Sequence, residues 1–144
     1  MCGRYVSPTE AEMERYWALT AAQIRNPLAQ RFNIAPTVSV PILFQEDGGL
    51  VLDAARWGLI PLWWDKPKPP NFTFNTRMEE AATKPMWREP LKNSRCLVPA
   101  LGWYEWKEMQ QVDLATGEIK KVKQPYFIHL PERRIIALVR IEHE

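Results

Sequence analysis

The sequence predicts an α+β domain, mostly β, with a few short helices. Three observations carry that expectation. Short runs rich in β-branched and aromatic residues recur along most of the 144 residues, at 38–44, 50–59, 95–100, 102–107, 125–129 and 135–139. Only the stretch after Ser7 carries a clear helical stripe, with Met13, Tyr16 and Trp17 spaced i, i+3, i+4. Thirteen prolines punctuate the chain, which places much of it in loops and edge strands. The length suits one domain with a single core, here residues 1–144.

Taken in order, residues 2–6 read as a short strand. Ser7-Pro8-Thr9-Glu10 reads as a helix start, with Ser7 as N-cap, Pro8 at the first helical position and Glu10 three residues after the cap. Asn26-Pro27 marks a break. Glu46-Asp47-Gly48-Gly49 joins two strands as a hairpin. Trp63-Trp64-Asp65-Lys66-Pro67-Lys68-Pro69-Pro70 is a proline-stiffened loop. Neighbouring residues of extended chain point to opposite faces, so one of its two tryptophans is expected at the surface. Residues 71–77, if extended, put Asn71, Thr73, Asn75 and Arg77 on one face and Phe72 and Phe74 on the other. Residues 79–83 read as a helical turn stopped by Pro85, 90–94 as a loop, and 110–121 as a polar hairpin loop.

Composition narrows the function. A formal net charge of +2 says little about partners, so the distribution of charge has to carry that argument. Two cysteines, Cys2 and Cys96, are too few for a disulfide scaffold and fit a reducing compartment. No apolar run approaches the roughly 20 residues of a membrane span, and Arg4, Glu10 and Glu12 break any signal-peptide pattern. There is no glycine-rich phosphate loop. Two histidines, His129 and His143, do not make a zinc set, and neither a metal nor a cofactor is expected.

The chemically distinctive position is Cys2. If Met1 is cleaved, Cys2 carries an α-amine and a thiol on adjacent carbons. Such a 1,2-aminothiol condenses with an aldehyde to an imine, and the thiol then closes a thiazolidine ring. Alternatively, the thiolate attacks a carbonyl with the amine as base. The plainer alternative is a small apolar residue packed at the start of a strand. Glu105 sits among Trp103, Tyr104 and Trp106. Loss of solvation there would raise its pKa and suit it to proton transfer; a surface Glu105–Lys107 pair is the ordinary alternative. Cys96 is expected to be inert core.

Five segments then fall in a telling order: Met1-Cys2-Gly3-Arg4-Tyr5; Arg31-Phe32-Asn33-Ile34-Ala35-Pro36; Trp57-Gly58-Leu59-Ile60-Pro61 with Trp63-Trp64; Asn75-Thr76-Arg77 with Glu79; and Arg95-Cys96-Leu97-Val98-Pro99-Ala100 with Gly102-Trp103-Tyr104-Glu105-Trp106. Together they resemble the SRAP family, the SOS response-associated peptidases or abasic site processing proteins. The resemblance implies a barrel-like mixed antiparallel sheet. It implies a DNA-damage protein that binds single-stranded DNA holding an abasic site and links to it covalently through Cys2, by lyase-like imine chemistry. Asn75 would hold the opened sugar and Glu105 would serve acid–base steps. Arg4, Asn33 and Arg77 would contact phosphates, and Trp63, Trp64 and Lys66 lie in the loop that would meet DNA. A cytoplasmic monomer is expected, nucleoid-associated in a bacterium, and the older peptidase and hydrolase label reads best as removal of Met1.

The match departs from the family in places. The family continues past 144 residues with a His-x-Arg-Met-Pro motif that nothing after Glu105 matches, so the chain reads as the N-terminal two-thirds of a full domain. Leu101 stands where aspartate is frequent, and Pro85 interrupts a stretch that is often basic. Two other readings stay open. One is an N-terminal-cysteine amidohydrolase of the glutamine amidotransferase kind, which also begins Met-Cys-Gly. The other is a non-catalytic, truncated DNA-binding domain.

Overall fold

A computed structural model describes residues 3–141, with Arg140 and Ile141 described by backbone alone. Seven strands and three α-helices follow the order β1 (Tyr5–Val6), α1 (Glu10–Trp17), β2 (Ser39–Glu46), β3 (Gly49–Arg56), α2 (Met78–Ala81), α3 (Pro85–Asn93), β4 (Arg95–Ala100), β5 (Gly102–Val112), β6 (Ile119–His129) and β7 (Ile136–Ile141). The strands form two antiparallel sheets, one ordered β1-β5-β6 and the other β3-β2-β4-β7. The mostly-β α+β class is therefore what the chain adopts. Among the described residues the sheets stay open rather than closing into a barrel, because β6 and β7, which follow one another in the chain, belong to different sheets.

The core lies between the sheets and under α1. Tyr5, Ile34, Val40, Ile42, Cys96, Val98 and Ala100 form one buried cluster, with Trp57 and Trp103 packed against it. Cys96 is thus core, as its setting in an apolar strand implies. Met13 and Leu19 bury with Leu43 and Leu52 in a second cluster. A third joins Leu59, Ala81 and Trp87.

Four local expectations are corrected. The cap of α1 is Thr9, not Ser7. Thr9 Oγ1 accepts from Glu12 N at 3.1 Å while Glu12 Oε2 accepts from Thr9 N at 2.7 Å, a complete capping box. Ser7 is engaged elsewhere: its hydroxyl accepts from Arg31 N and its own N–H donates to Arg31 O, both at 3.0 Å. Thr9→Ala should cost about 1 kcal/mol of stability in a denaturant titration, whereas Ser7→Ala should leave helix α1 capped.

Residues 71–74 form turns rather than a strand, and the expected alternation fails. Phe72, with φ 58°, is 82% exposed, whereas Thr73 is buried and its carbonyl accepts from Leu59 N at 2.9 Å. A backbone bond to the neighbouring segment outweighs side-chain polarity here. Pro85 opens a new helix instead of ending a turn, and α3 continues through Pro90 to Asn93. Pro90 lacks the N–H that would bond back along the helix, but its ring is buried along with Trp87, and tertiary packing holds the helix. Finally, the loop expected over 110–121 is mostly strand. β5 and β6 pair from Gly102↔His129 out to Val112↔Ile119, leaving a turn of six residues from Asp113 to Glu118. Lys120 Nζ bonds Asp113 Oδ2 at 2.7 Å, and that bond, followed by the Ala115 N–H, holds the Asp113 carboxyl below the usual carboxylate range.

Between β2 and β3 the turn is as expected, with Glu46 paired to Gly49. Gly49 has φ +116°, a conformation that a side chain would strain.

Candidate nucleic-acid interface and chain start

β1 is two residues long but tied on both sides. Tyr5 pairs with Trp103 and Val6 with Gly102, and Tyr104 N donates to Arg4 O at 2.9 Å. The antiparallel register directs Gly3 and Arg4 along β5 toward Glu105. On the opposite flank, Tyr5 and Ile34 exchange backbone bonds of 3.2 and 2.9 Å. This bridge positions the Arg31–Pro36 segment. Arg4 Nη1 donates to Asn33 Oδ1 at 3.1 Å, and Tyr104 Oη donates to the Phe32 carbonyl at 3.2 Å. Arg4 and Asn33, 29 residues apart in sequence, therefore share one patch. Cys2 and His143 lie outside the described residues.

Glu105 is half-buried on β5 opposite Tyr126. Strand alternation puts it on the face of Trp103, the residue paired to Tyr5 and packed on the core, and of the exposed Lys107. Its base therefore rests in the protein while its outer side meets solvent. Tyr104, Trp106, Phe127 and His129 line the other face, with Tyr104 and Phe127 ring centroids 5.0 Å apart and Phe127 stacked on His129 at 5.2 Å. His129 Nδ1 lies 2.8 Å from the Leu130 carbonyl.

Asn75 stands where two cavities meet. One, of about 450 Å³, is walled mainly by apolar side chains, among them Tyr5, Trp57, Leu59, Trp87 and Leu138. The other, of about 480 Å³, is lined by Trp63, Asn71, Phe72, Arg77, Lys84 and Met86 among others. Asn75, Thr76, Thr73 and Trp87 line both. Local structure fixes the position of Asn75: Trp57 Nε1 donates to the Phe74 carbonyl at 3.0 Å, and Thr73 is held by Leu59. Arg77 is exposed at the N-cap of α2, and its guanidinium makes no ion pair among the described residues. Lys84 is engaged by Glu80 at 2.6 Å, a bond that keeps the Glu80 carboxyl below its ordinary range.

The two adjacent tryptophans divide their roles. Trp63 is exposed and lines the second cavity. Trp64 is half-buried, donates from Nε1 to the Lys68 carbonyl at 2.8 Å, and carries the Lys66 ammonium 5.1 Å above its ring. That cation–π contact folds Lys66 back onto its own loop. Of the loop residues expected at DNA, Trp63 thus joins Asn75 and Arg77 around one cavity, while Trp64 and Lys66 brace the loop. Thr76 and Lys84 were not singled out in the sequence. Thr76 lies inside the Asn75-Thr76-Arg77 motif, which was signal enough, whereas Lys84 reaches the cavity only through α3. Among the described residues no group of three His, Cys, Asp or Glu is placed to hold a metal ion, and no helix is long and apolar enough to cross a membrane.

This arrangement defines a class: a two-sheet α+β domain in which Arg4 and Tyr5 run along a glutamate-bearing strand and Asn75 borders a cavity that carries Trp63, Arg77 and Lys84. The chain belongs to the SOS response associated peptidase (SRAP) family, whose model matches residues 1–142. It is 35% identical over 147 aligned positions to the abasic site processing protein YedK of Escherichia coli, covering 98% of this chain and 59% of the relative. It is 34% identical to the abasic site processing protein HMCES of Xenopus tropicalis, over 70% of this chain and 31% of that protein. Among solved structures, a Bacteroides thetaiotaomicron protein superposes with a TM-score of 0.71 at 22% identity, over 96% of this chain and 58% of its own. A phage-related protein of Bordetella bronchiseptica does so at 0.66 and 27% identity, with 59% of its own chain covered. The chain therefore spans about three-fifths of the length of several of these relatives.

Proposed function

We propose that this chain processes abasic sites in single-stranded DNA, joining the opened sugar to Cys2 as a thiazolidine once Met1 is removed. The observation that carries this reading is the register of β1 on β5, which runs Gly3 and Arg4 toward Glu105 while Arg4 is tied to Asn33. Relatives bearing the name abasic site processing protein support it.

The chemistry follows from the groups. An abasic sugar exchanges between a closed hemiacetal and an aldehyde. Glu105, acting as general acid and base, would speed opening by about 10² to 10⁴. The Cys2 amine adds to the aldehyde carbon and one water leaves as the imine forms. The Cys2 thiolate then adds to the imine carbon, and the ring nitrogen takes up the proton. An α-amine of pKa about 7.7–8.0 is partly free at neutral pH, and the Arg4 cation, two residues along the chain, would favour the neutral amine and the thiolate. Asn75 would hold the sugar by its amide. Trp63 and Arg77 would take a flanking base and a phosphate, with stacking worth roughly 1–3 kcal/mol per base.

The test is intact-protein mass spectrometry and a denaturing gel, before and after incubation with a single strand carrying one abasic site. The expected product lacks methionine and has gained one DNA strand. Binding that falls with salt and never becomes covalent would replace this reading with that of a binding module. Glutamine hydrolysis without DNA would replace it with the amidohydrolase. Glu105→Gln should slow adduct formation by about 10²-fold or more while leaving the adduct mass unchanged, measured as single-turnover gel time courses; an unaltered rate would take Glu105 out of the mechanism.

A further inference from the structure

The cavity that Asn75 shares with Trp63 and Arg77 also holds an acid. Of the described side chains that line it, Glu80 alone is acidic, and it stands with two cations, Arg77 and Lys84. An acid there repels the polyanion that the two cations would attract. Local structure accounts for its position. Helix α2 ends at Ala81, and Lys84 N donates to the Glu80 carbonyl at 2.9 Å, a turn that brings the two side chains together. Lys84 Nζ then bonds Glu80 Oε2 at 2.6 Å. That bond holds the Glu80 carboxyl below its ordinary range, and the Arg77 cation acts in the same direction. The Glu80 and Lys84 side chains are 41% and 55% exposed, and an ion pair so exposed contributes little to stability. Glu89 on α3 offers a contrast: it pairs with Arg88 and Lys92 and lines neither cavity beside Asn75.

We propose that Glu80 is a specificity-determining residue: its carboxylate occupies the place of a DNA phosphate, and a backbone phosphate of the bound strand displaces it from Lys84. This rests on the single-stranded DNA binding proposed above and adds to it a competitor built into the chain. A carboxylate and a phosphodiester each present two oxygens that share one negative charge, so the Lys84 ammonium can exchange one for the other. Exposure gives the phosphate access, and the weakness of the pair lets the exchange proceed. The consequence is selectivity. An undamaged strand gains little from Lys84, because the contact made requires a contact broken. Affinity for strands without a lesion stays low, and retention falls to the covalent step at the lesion.

The test measures binding of the full chain to an undamaged single strand by fluorescence anisotropy over a salt series. Glu80→Gln should bind about fivefold tighter, the upper end for release of one exposed ion pair, with an unchanged melting temperature. Its log–log salt slope should steepen by about 0.7, because a displaced Glu80 no longer takes up a cation that offsets the counterions leaving the DNA. Adding Lys84→Gln to Glu80→Gln should return the affinity to within about twofold of the parent chain, since the gain acts through Lys84. Glu89→Gln, which removes the same charge outside the cavity, should also stay within about twofold. The proposal is overturned if Glu80→Gln binds no tighter than the parent chain, if Glu89→Gln gains equally, or if the gain survives the loss of Lys84. A parent chain that binds no single strand at any salt would remove the underlying reading along with it.

Discussion

Cys2→Ala is expected to abolish the covalent adduct with abasic single-stranded DNA completely, while non-covalent binding changes by no more than a few-fold. The size of the effect follows from the chemistry. Alanine keeps the α-amine, so an imine can still form, but no thiol remains to close the ring, and a bare imine hydrolyses back. Denaturing gels and intact masses read the stable product; borohydride trapping reads the imine. A reducible imine without a stable adduct is the signature expected of Cys2→Ala. Loss of DNA binding as well would show that Cys2 serves the fold or the groove, and would remove it as a pure nucleophile.

Gly102→Ala should destabilise the domain by about 3 kcal/mol. A Cβ at this position would lie 2.6 Å from the Phe127 ring and 2.9 Å from His129 Cβ, and closer still to the Ile128 carbonyl oxygen. Gly102 is where β1, β5 and β6 converge, paired to Val6 on one side and His129 on the other. The backbone oxygen cannot move away without breaking the β5–β6 ladder, and the ladder positions Glu105. Denaturant titration should show the midpoint falling, and any adduct formation at low temperature should fall with it. An unchanged midpoint would mean that β6 shifts freely, contrary to its eleven-residue pairing with β5.

Much of this fold is legible along the chain because the strands are local facts. The Val38–Phe44 and Leu50–Leu59 runs, joined by an Asp47-Gly48 turn, form a hairpin on their own terms, and their register follows from that short turn. Helix α1 is legible for the same reason, although its cap is not. Ser7 and Thr9 are equally good caps in isolation, and the contest is decided by Arg31, 24 residues away, which takes the Ser7 hydroxyl. The failures are of one kind. Thr73 is buried because Leu59 needs its carbonyl. Pro90 stays in a helix because Trp87 beside it packs against Leu59 and Ala81. The 110–121 stretch is strand because each side has the other to pair with, despite its polarity.

The candidate site divides along the same line. The residue types are local: a cysteine after the initiator methionine, a glutamate among aromatics, an Asn-Thr-Arg run and a tryptophan pair, each with its chemistry written in the side chain. Their grouping is not local. Arg4 meets Asn33 only because Tyr5 is bonded to Ile34, and Trp63 shares a cavity with Asn75 and Arg77 while its neighbour Trp64 turns away under Lys66. Chemical identity and short-range structure reside in the order of residues, because they depend on atoms a few bonds apart. Which of those residues meet, which polar group is buried and which edge is left open depend on long-range backbone bonds and burial, and those exist only once the two sheets have formed.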